Sequence, residues 1–466
     1  MMRIIVFGSG IFFMNRQDMF EKGKIVAFID NDKNKWDKQI DNIPIFPPSH
    51  IKECSYDKVV IMTKREDEIR WQLTHDLDID EKSILNFEQY CEYNAKNKEL
   101  CQLVIHYKKN NSYFDKNKKT ILIITHELSY TGGSLAAFYA ALALREKGFD
   151  VVIATKKANQ NLVNEIVKKD ISIFIQELID YCAWEQINWI EQFDYIIINT
   201  LRLGRLIKEI IGRKPVLWWI HESKTEYEDL NPNIIHSIDS LNVETYVVSR
   251  VALHTFQQYF KKIGAKILCY GIPDNHYKKM PAIIKSKMVF AVIGTIVSIK
   301  AQDVFLKAIT LLTQEERNKS EFLLIGACQT EIQYGSSIMQ QIKNIPEAKW
   351  LGEMTREELE KTYRDIDVVV VPSHQETMSI VMTETFMNGK IGIASDAIGI
   401  AEYMKDEENG LIFKSGDIGG LAAKMSWVLD NKEKLNGISE NARQTYEKYF
   451  TLEHFGDKIK SILSNI

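Results

Sequence analysis

The chain has 466 residues, of which 45% are hydrophobic and 26% are charged, and its formal net charge at pH 7 is -4. Its length predicts about three folded domains, and its small net charge excludes a global field for polyanions, so nucleic acid is not an expected partner. Because the sequence contains no run of about 18 apolar residues, we expect no membrane-spanning segment.

The cysteines and the N-terminal residues indicate a reducing compartment. The cysteines are scattered and form no C-x-x-C pair, which is typical of reduced thiols rather than of a disulfide framework or a metal site. The N-terminus has a strand pattern without the apolar core of a signal peptide. We therefore expect a cytoplasmic protein, in which the free thiols are Cys54, Cys91, Cys101, Cys182, Cys269 and Cys328.

Residues 1–95 are predicted to form a small Rossmann-like α/β module. Its first two strand patterns end at Gly8-Ser9-Gly10 and at Asp30, which resembles the start of a dinucleotide fingerprint. Phe13 stands where that fingerprint has its third glycine, and a bulky ring there would impede close packing of the helix on the strand. Two interpretations stay open. The module binds no ligand and only docks on another part of the protein, or it binds a nucleotide or acyl-carrier ligand at Gly8, Gly10 and Asp30.

Residues 96–119 are predicted to hold the end of a helix and a basic linker. Helical periodicity extends from Phe87 to His106, and lysines and aromatic residues follow it. A solvated linker fits this composition, and so does a patch that touches anionic lipid, because lysines and interfacial aromatic residues suit headgroups. Peripheral membrane contact is therefore an open alternative, and its basic residues are Lys108, Lys109, Lys116, Lys118 and Lys119.

Residues 120–275 are predicted to form a parallel α/β domain, because strand patterns alternate with helical stretches. The first strand leads to Gly132-Gly133, and a helix is predicted from Ser134 to Lys147. Glycines before a helix let the backbone approach an anion closely, and the unpaired N–H groups of the first turn favour phosphate. Gly132 and Gly133 are therefore candidate anion-binding residues.

A later strand pattern of this domain, Pro215–Ile220, ends at His221-Glu222. A lone histidine is more often structural than functional. The carboxyl ends of parallel strands, however, face the crevice in which open α/β sheets bind ligands. His221 is therefore a candidate functional residue.

A second α/β domain, predicted over residues 276–450, contains the most informative stretch. The apolar run Asp367–Val371 predicts a buried parallel strand, followed by a polar loop with Glu376 and a helix that Ser379 opens. Glu384 lies in that helix, roughly 12 Å along its axis from Glu376. This separation suits hydrogen bonds to two points of one extended ligand, and the helix start between them favours phosphate. The pattern is typical of a nucleotide-sugar site.

The same stretch resembles a known family. Pro372-Ser373, Glu376, Glu384 and Gly389-Lys390 match the signature PS-x-x-E-x7-E-x4-GK of the retaining glycosyltransferases of family 4, which have the GT-B fold. The resemblance covers about residues 120–450. It implies an α/β fold class with two Rossmann-like domains in a GT-B arrangement, beside the small N-terminal module. It also implies a helix over 451–466 that crosses back to the first Rossmann-like domain of the GT-B pair.

The resemblance also implies roles for residues. Glu376 would bind hydroxyls of the transferred sugar, Glu384 would bind the ribose, and Lys300 would stabilise the departing diphosphate. His221 matches the histidine that lies near the transferred sugar. The implied catalytic residues are Glu376, His221 and Lys300, and the implied donor-binding residues are Gly132, Gly133, Lys300, Glu376, Met378, Ser379, Ile380 and Glu384.

Two positions depart from the family pattern. Thr295 stands where an arginine is usual, and Ala301 stands where a glycine is usual. The missing arginine leaves one cation fewer for the diphosphate, and Arg250 or Lys390 are candidates to compensate. No Asp-x-Asp motif follows a short apolar strand in the two large domains, and Asp30-Asn31-Asp32 lies in the N-terminal module. We therefore expect no metal site and no cofactor besides the donor.

We therefore expect a retaining glycosyltransferase that moves a sugar from a UDP- or GDP-sugar to a glycan or lipid-linked acceptor. Bacterial surface polysaccharide synthesis is the expected setting, in the cytoplasm or at the inner face of the membrane. Two alternatives stay open. One is a nucleotide-sugar-binding partner subunit with a decayed site, and the other is a different GT-B reaction such as epimerisation.

Overall fold

The computed structural model describes residues 2–21, 23–97, 103–105, 117–275, 287–330 and 332–466. The described strands form three sheets with α-helices between them, and the predicted fold class is confirmed. The chain divides into two compact units. The first consists of Met1–Cys101 with Glu177–Asn188, and the second of Gln102–Gln176 with Trp189–Ile466.

The first unit is built on a sheet with strand order β3-β4-β2-β1-β5-β6, parallel except for the β3–β4 pair. Its central strands are rich in Ile and Val and are buried, as expected for a sheet covered on both faces. The elements are β1 (Ile4–Phe7), α1 (Ile11–Met14), β2 (Ile25–Ile29), β3 (Gln39–Ile40), β4 (Ile43–Phe46), β5 (Lys58–Ile61), α2 (Glu66–Trp71), β6 (Ile84–Asn86) and α3 (Phe87–Asn97).

The N-lobe, defined as strands β7–β14 with helices α4, α5 and α7–α10, lies in the second unit. Its strand order is β14-β13-β12-β11-β8-β9-β10-β7, and only the β7–β10 pair is antiparallel. The strands are β7 (Leu103–Ile105), β8 (Thr120–Thr125), β9 (Asp150–Thr155), β10 (Ser172–Ile175), β11 (Tyr195–Ile198), β12 (Val216–Ile220), β13 (Glu244–Val247) and β14 (Ala265–Ile267). The helices of this stretch are α4 (Gly132–Glu146), α5 (Gln160–Val167), α6 (Trp184–Ile187, in the first unit), α7 (Gly204–Ile210), α8 (Lys224–Asp229), α9 (Pro232–Ile238) and α10 (Arg250–Tyr259).

The helix predicted over Phe87–His106 is shorter in the structure. It ends at Asn97, and Leu103–Ile105 instead form β7 at the edge of the N-lobe sheet. The β-branched residues of this short apolar run favour an extended backbone that pairs with a neighbour. Three of the five basic linker residues, Lys108, Lys109 and Lys116, lie outside the described residues, whereas Lys118 and Lys119 lie just before β8.

The C-lobe, defined as β15–β20 with α11–α17, is a parallel sheet with strand order β17-β16-β15-β18-β19-β20. Its strands are β15 (Met288–Ile293), β16 (Ser320–Ile325), β17 (Ala348–Trp350), β18 (Val368–Val371), β19 (Ile391–Ser395) and β20 (Leu411–Phe413). Its helices are α11 (Gln302–Leu311), α12 (Gln314–Asn318), α13 (Gln333–Lys343), α14 (Arg356–Tyr363), α15 (Ile380–Met387), α16 (Ile418–Asp430) and α17 (Leu435–Tyr449).

Both lobes have a topological switch point, where the chain order reverses across the sheet. In the N-lobe it lies between β8 and β11, and in the C-lobe between β15 and β18. Ligands of open α/β sheets bind outside the carboxyl ends of the strands at such points. The loops after these four strands are therefore where the fold favours a site.

The last helix, α18 (Leu452–Leu463), packs against α4 of the N-lobe. The ring of Phe455 lies 5.3 Å from that of Trp219, and the ammonium of Lys147 lies 2.5 Å from the carboxylate of Asp457. A Cβ atom at Gly271 would lie 2.3 Å from the carbonyl oxygen of Thr451, so only glycine fits this approach. The chain thus returns to the N-lobe after the C-lobe is complete. Among the described residues, no helix is long and apolar enough to cross a membrane.

We expect Gly271→Ala to lower the free energy of unfolding by about 1 to 3 kcal/mol, because the added methyl must push α18 off the N-lobe. Gly437→Ala in α17 is the matched control. A Cβ there meets no described atom within 4 Å, and removing a helical glycine should stabilise the protein by up to about 1 kcal/mol. Urea unfolding followed by tryptophan fluorescence measures both changes. Equal stability of Gly271→Ala and the wild type would contradict this packing.

Candidate functional site

Glu376 lies in the loop after β18, at the switch point of the C-lobe, and it is ion-paired. Its Oε1 atom lies 2.8 Å from the ammonium of Lys300, which follows β15, and the hydroxyl of Ser373 donates to the same oxygen at 2.5 Å. The side chain of Glu376 is only 13% exposed, whereas that of Lys300 is 32% exposed. Two of the predicted catalytic residues therefore meet at the edge where the fold favours a ligand.

The turn that carries Lys300 has a backbone conformation at Ala301 that is typical of glycine. Ala301 has φ 53° and ψ 40°, in the left-handed region that non-glycine residues adopt at a cost of about 1 kcal/mol or more. The amide of Gln302 donates to the carbonyl of Thr295 at 3.0 Å and closes the loop. Ala301 therefore holds a left-handed conformation that glycine adopts at lower cost, whereas Thr295 brings no positive charge.

Helix α15 begins directly after the Glu376 loop. Ser379 caps it, and its hydroxyl accepts a hydrogen bond from the backbone N–H of Met382 at 3.4 Å. Met378 is buried and Ile380 is the first helical residue, so the predicted donor-binding stretch surrounds the N-terminus of α15. The partial positive charge of that helix end favours an anion such as a phosphate.

Glu384, in the second turn of α15, is 2% exposed and forms an ion pair with Arg356, the first residue of α14. The Nε atom of Arg356 also lies 3.3 Å from the carboxylate of Glu360. Burial raises the pKa of Glu384, and the charge of Arg356 works against that rise. Because a guanidinium keeps its proton at any physiological pH, the buried carboxylate is compensated by a permanent cation. Sequence reasoning did not single out Arg356.

On the N-lobe side, a hydrogen-bonded chain joins the glycine loop to His221. The amide nitrogen of Asn199 donates to the carbonyl of Gly133 at 2.8 Å, and its Oδ1 atom lies 2.8 Å from Nε2 of His221. The amide nitrogen must face the carbonyl, so Oδ1 accepts and Nε2 of His221 carries the proton. The Nδ1 atom of His221 is then the basic nitrogen. Helix α4 begins at Gly132, two residues earlier than predicted.

The protonation state of His221 follows from its surroundings. Burial lowers the pKa of His221 to about 3, and the charge of the nearby His126 adds to this effect. His126, which follows β8, also has its pKa lowered by burial, to about 4, and its Nδ1 atom is buried without a described hydrogen-bond partner. Both imidazoles are therefore neutral near pH 7. His221 can accept a hydrogen bond there, but it brings no charge.

The two lobes meet where these residues lie. The hydroxyl of Thr377 donates to the carbonyl of His221 at 2.6 Å, and the hydroxyl of Ser249 donates to the carbonyl of Thr377. A Cβ at Gly399 would lie 2.0 Å from that same carbonyl, so glycine is required beside it. The structure thus brings Glu376 and His221 to the same seam between the lobes.

The two cations proposed to replace the missing arginine have other partners. Arg250 is 83% exposed and its Nε atom lies 3.3 Å from the carboxylate of Glu402. The ammonium of Lys390 donates to the carbonyl of Ile366 at 2.6 Å, before β18 begins and thus at the opposite end of that strand from Glu376. Lys390 therefore lies away from the switch point.

In the first unit, the predicted nucleotide-binding residues are close to one another. The carboxylate of Asp30 accepts hydrogen bonds from the N–H and hydroxyl of Ser9 at 2.9 and 2.6 Å, and from the ammonium of Lys35 at 2.9 Å. Lys35 also stands 3.6 Å from the place of a Cβ at Gly10, and Gly8 has φ 107°. The chain's own side chains thus satisfy Asp30, and helix α1 has only four residues. Nucleotide binding here stays a prediction.

Among the described residues, no group of three or more His, Cys, Asp or Glu side chains is placed to hold a metal ion. The metal-independent reaction expected from the sequence stays a prediction.

Three family models match successive parts of the chain. Residues 1–85 match the model described as C2185-like, N-terminal. Residues 117–269 match the model of glycosyl-transferase family 4, and residues 274–445 match that of glycosyl transferases group 1. The two transferase models coincide with the N-lobe and the C-lobe and together contain every residue of the seam described above.

Curated relatives are similar over part of their length. The chain is 30% identical over 105 residues to the sulfoquinovosyl transferase SQD2 of Arabidopsis thaliana, which is 22% of this chain and 21% of that protein. It is 24% identical over 157 residues to the D-inositol 3-phosphate glycosyltransferase of Thermomonospora curvata, which is 32% of this chain and 36% of that protein. The similarity thus spans about a fifth to a third of these relatives.

Solved structures share the fold over the whole of their chains. Anabaena Alr3699/HepE, in complex with UDP and glucose, has a TM-score of 0.64 at 18% identity and covers 74% of this chain and 99% of that chain. The lipopolysaccharide outer core galactosyltransferase WaaB has a TM-score of 0.58 at 12% identity, with 75% and 100% covered. At these identities the likeness shows the fold alone.

We expect acid to destabilise the protein through His221. Its folded pKa of about 3 lies below the ordinary value of 6.5, so between these values only the unfolded chain binds the proton. Stability is then complete above pH 6.5 and falls as pH drops toward 3, by up to about 1.4 kcal/mol per pH unit for one histidine. Unfolding free energies from pH 7.5 to 5 measure the slope.

His221→Gln should remove about one proton from this pH dependence, because glutamine keeps a donor for Asn199 but does not titrate. The exposed His454 offers the control, and His454→Gln should leave the slope unchanged. The same slope in His221→Gln as in the wild type would mean that His221 is not buried in its neutral form.

Proposed function

Because the chain belongs to the family 4, group 1 glycosyltransferases, we propose that it is a retaining hexosyltransferase. It moves a sugar from a nucleoside-diphosphate sugar to a hydroxyl of a glycan or lipid-linked acceptor. The observation that carries this proposal is the pairing of Glu376 with Lys300 at a seam that also holds the neutral His221. A carboxylate for sugar hydroxyls and a cation for a leaving phosphate are the two groups that such a transfer needs.

The donor diphosphate is proposed to lie between Lys300 and two helix N-termini, those of α15 and α4. The first turn of α15 offers the backbone of Ser379 and Ile380, and that of α4 offers Gly132 and Gly133. Helix ends stabilise negative charge, and Lys300 has its charge at the end of a flexible, partly exposed side chain. Charge that develops on the diphosphate as the sugar leaves is thus met without a metal ion.

Transfer is proposed to occur on one face of the sugar. The bond between the anomeric carbon and the phosphate oxygen breaks, and the acceptor hydroxyl oxygen bonds to the same carbon on the same face. The departing phosphate oxygen takes the acceptor's proton, so Glu376 forms no covalent bond. Glu376 holds the sugar hydroxyls, and the basic Nδ1 atom of His221 accepts a hydrogen bond beside the transferred sugar. The anomeric configuration is retained.

A uridine nucleotide is the donor that we propose. The structure of HepE, which shares this fold, was determined with UDP and with UDP-glucose, and a GDP-sugar is the second choice. WaaB is named as a lipopolysaccharide outer core galactosyltransferase, which supports a surface glycan on a lipid carrier as acceptor. Such an acceptor would place the reaction at the inner face of a membrane.

The proposed donor class is tested by thermal unfolding with UDP, GDP and ADP, and then with their hexose conjugates. A ligand that binds only the folded protein stabilises it by about 2.7 kcal/mol at 100 times its Kd. We expect UDP to raise the melting temperature most. No shift with any of the three nucleotides would contradict the proposed function.

We expect Glu376→Ala to lower kcat by about 10²-fold or more, because it removes a contact that stabilises the transition state. Lys307→Ala is the matched control, since Lys307 pairs with Asp303 on α11 and is 51% exposed. Release of UDP and formation of glycoside are followed together, with the anomeric configuration read by NMR. Full activity of Glu376→Ala, or a product of inverted configuration, would contradict the assignment.

A further inference from the structure

Arg356 is the residue that the family signature leaves unassigned and that the structure places at the proposed donor site. It begins α14 and forms an ion pair with Glu384, the glutamate that corresponds to the ribose-binding residue of the signature. The side chain of Glu384 is 3% exposed and that of Arg356 is 25% exposed. Glu384 is therefore the buried member of the ion pair, and Arg356 is the more exposed member.

The charge of Arg356 also acts on the N-lobe. Burial raises the pKa of Tyr139 on α4, and the charge of Arg356 works against that rise. The same holds for Tyr130, in the loop that leads to Gly132 and Gly133. The positive charge of Arg356 thus acts both on Glu384 in the C-lobe and on two tyrosines of the N-lobe.

Arg356 competes with a donor for the carboxylate of Glu384. Ribose hydroxyls need a carboxylate oxygen as acceptor, and the Oε1 atom of Glu384 is held by Arg356 inside a buried contact. Moving Arg356 away breaks this ion pair, so the carboxylate and the guanidinium each need a new partner. The ribose hydroxyls can donate to the carboxylate, and the guanidinium needs an anion. A diphosphate is the anion that a nucleotide donor brings with its ribose.

The proposed diphosphate position is within reach of Arg356. Ser379, at the N-terminus of α15, precedes Glu384 by five residues, which is about 7.5 Å of helical rise. An arginine side chain can swing over such a distance, and its planar fork suits phosphate oxygens. Thr295 leaves the site one cation short, while Arg250 is committed to Glu402 and Lys390 to backbone carbonyls.

We propose that Arg356 is a donor-binding residue that exchanges partners when the nucleotide enters. The ribose hydroxyls replace Arg356 on Glu384, and the guanidinium turns to the diphosphate, where it supplies the second cation beside Lys300. This inference rests on the proposed function. It predicts that Arg356 contributes to binding of the diphosphate and not to binding of the nucleoside.

Calorimetric titration with UDP and with uridine tests this exchange. For Arg356→Gln we expect UDP to bind at least tenfold more weakly than to the wild type, while uridine binds equally well or more tightly. Arg356→Lys should recover part of the loss for UDP, because it restores a charge without the fork. Lys361→Gln is the matched control on the solvent side of the same helix, with a side chain that is 66% exposed, and should bind both ligands as the wild type does.

The double variant Arg356→Gln with Glu384→Gln guards against a folding defect. It removes both buried charges, so no uncompensated carboxylate remains, and its melting temperature should lie close to that of the wild type. Uridine binds it more weakly because the ribose loses its acceptor, and the ratio of UDP to uridine affinity should fall at least tenfold, as in the single variant.

Two outcomes would overturn the inference. If UDP and uridine lose affinity by the same factor in Arg356→Gln, the arginine only holds Glu384 in place. If UDP binds that variant as tightly as the wild type or more tightly, Arg356 does not bind the diphosphate and only restricts access to Glu384. GDP and guanosine are titrated in parallel, and a wild-type protein that binds neither nucleotide would instead overturn the proposed function itself.

Discussion

The hydrogen bond from the hydroxyl of Thr377 to the carbonyl of His221 joins the two lobes at the place where function is proposed. It ties the loop after a C-lobe strand to the end of an N-lobe strand, at a donor–acceptor distance of 2.6 Å. Ser249 binds the carbonyl of the same threonine, and Gly399 leaves room for it. Residues far apart in sequence thereby become neighbours, with Glu376 one residue from the contact.

Charge in this region is arranged in pairs. Lys300 neutralises Glu376 and Arg356 neutralises Glu384, while His221 and His126 stay neutral because burial lowers their pKa values. Before a ligand binds, Lys300 and Arg356 each pair with a carboxylate that the proposed reaction needs, and Arg356 also lies 3.3 Å from the carboxylate of Glu360. A nucleotide-sugar carries both kinds of partner, since its hydroxyls suit the carboxylates and its diphosphate suits the cations. Because the ligand offers a partner to both members of an ion pair, we propose that Arg356 exchanges Glu384 for the diphosphate. The alternative is that the ligand binds beside ion pairs that stay closed.

Much of this arrangement could be predicted from the sequence, because strand ends are local features. Short runs such as Val368–Val371 mark buried strands, and polar residues directly after them, including Glu376 and His221, must lie at one edge of a parallel sheet. Arg356 and Asn199 were not predicted, because neither belongs to a motif and each acquires its partner only when distant elements pack. The sequence predicts helix at Leu103–Ile105 because the partner of this strand, β10, lies some 70 residues later in the chain.

A crystal structure of the protein with UDP bound tests the donor site most directly. We expect the diphosphate to lie about 3 Å from the ammonium of Lys300 and from the first backbone N–H groups of α15, with the ribose on the carboxylate of Glu384. A nucleotide bound elsewhere, with Lys300 and Glu384 still closed on their own partners, would contradict the proposed site.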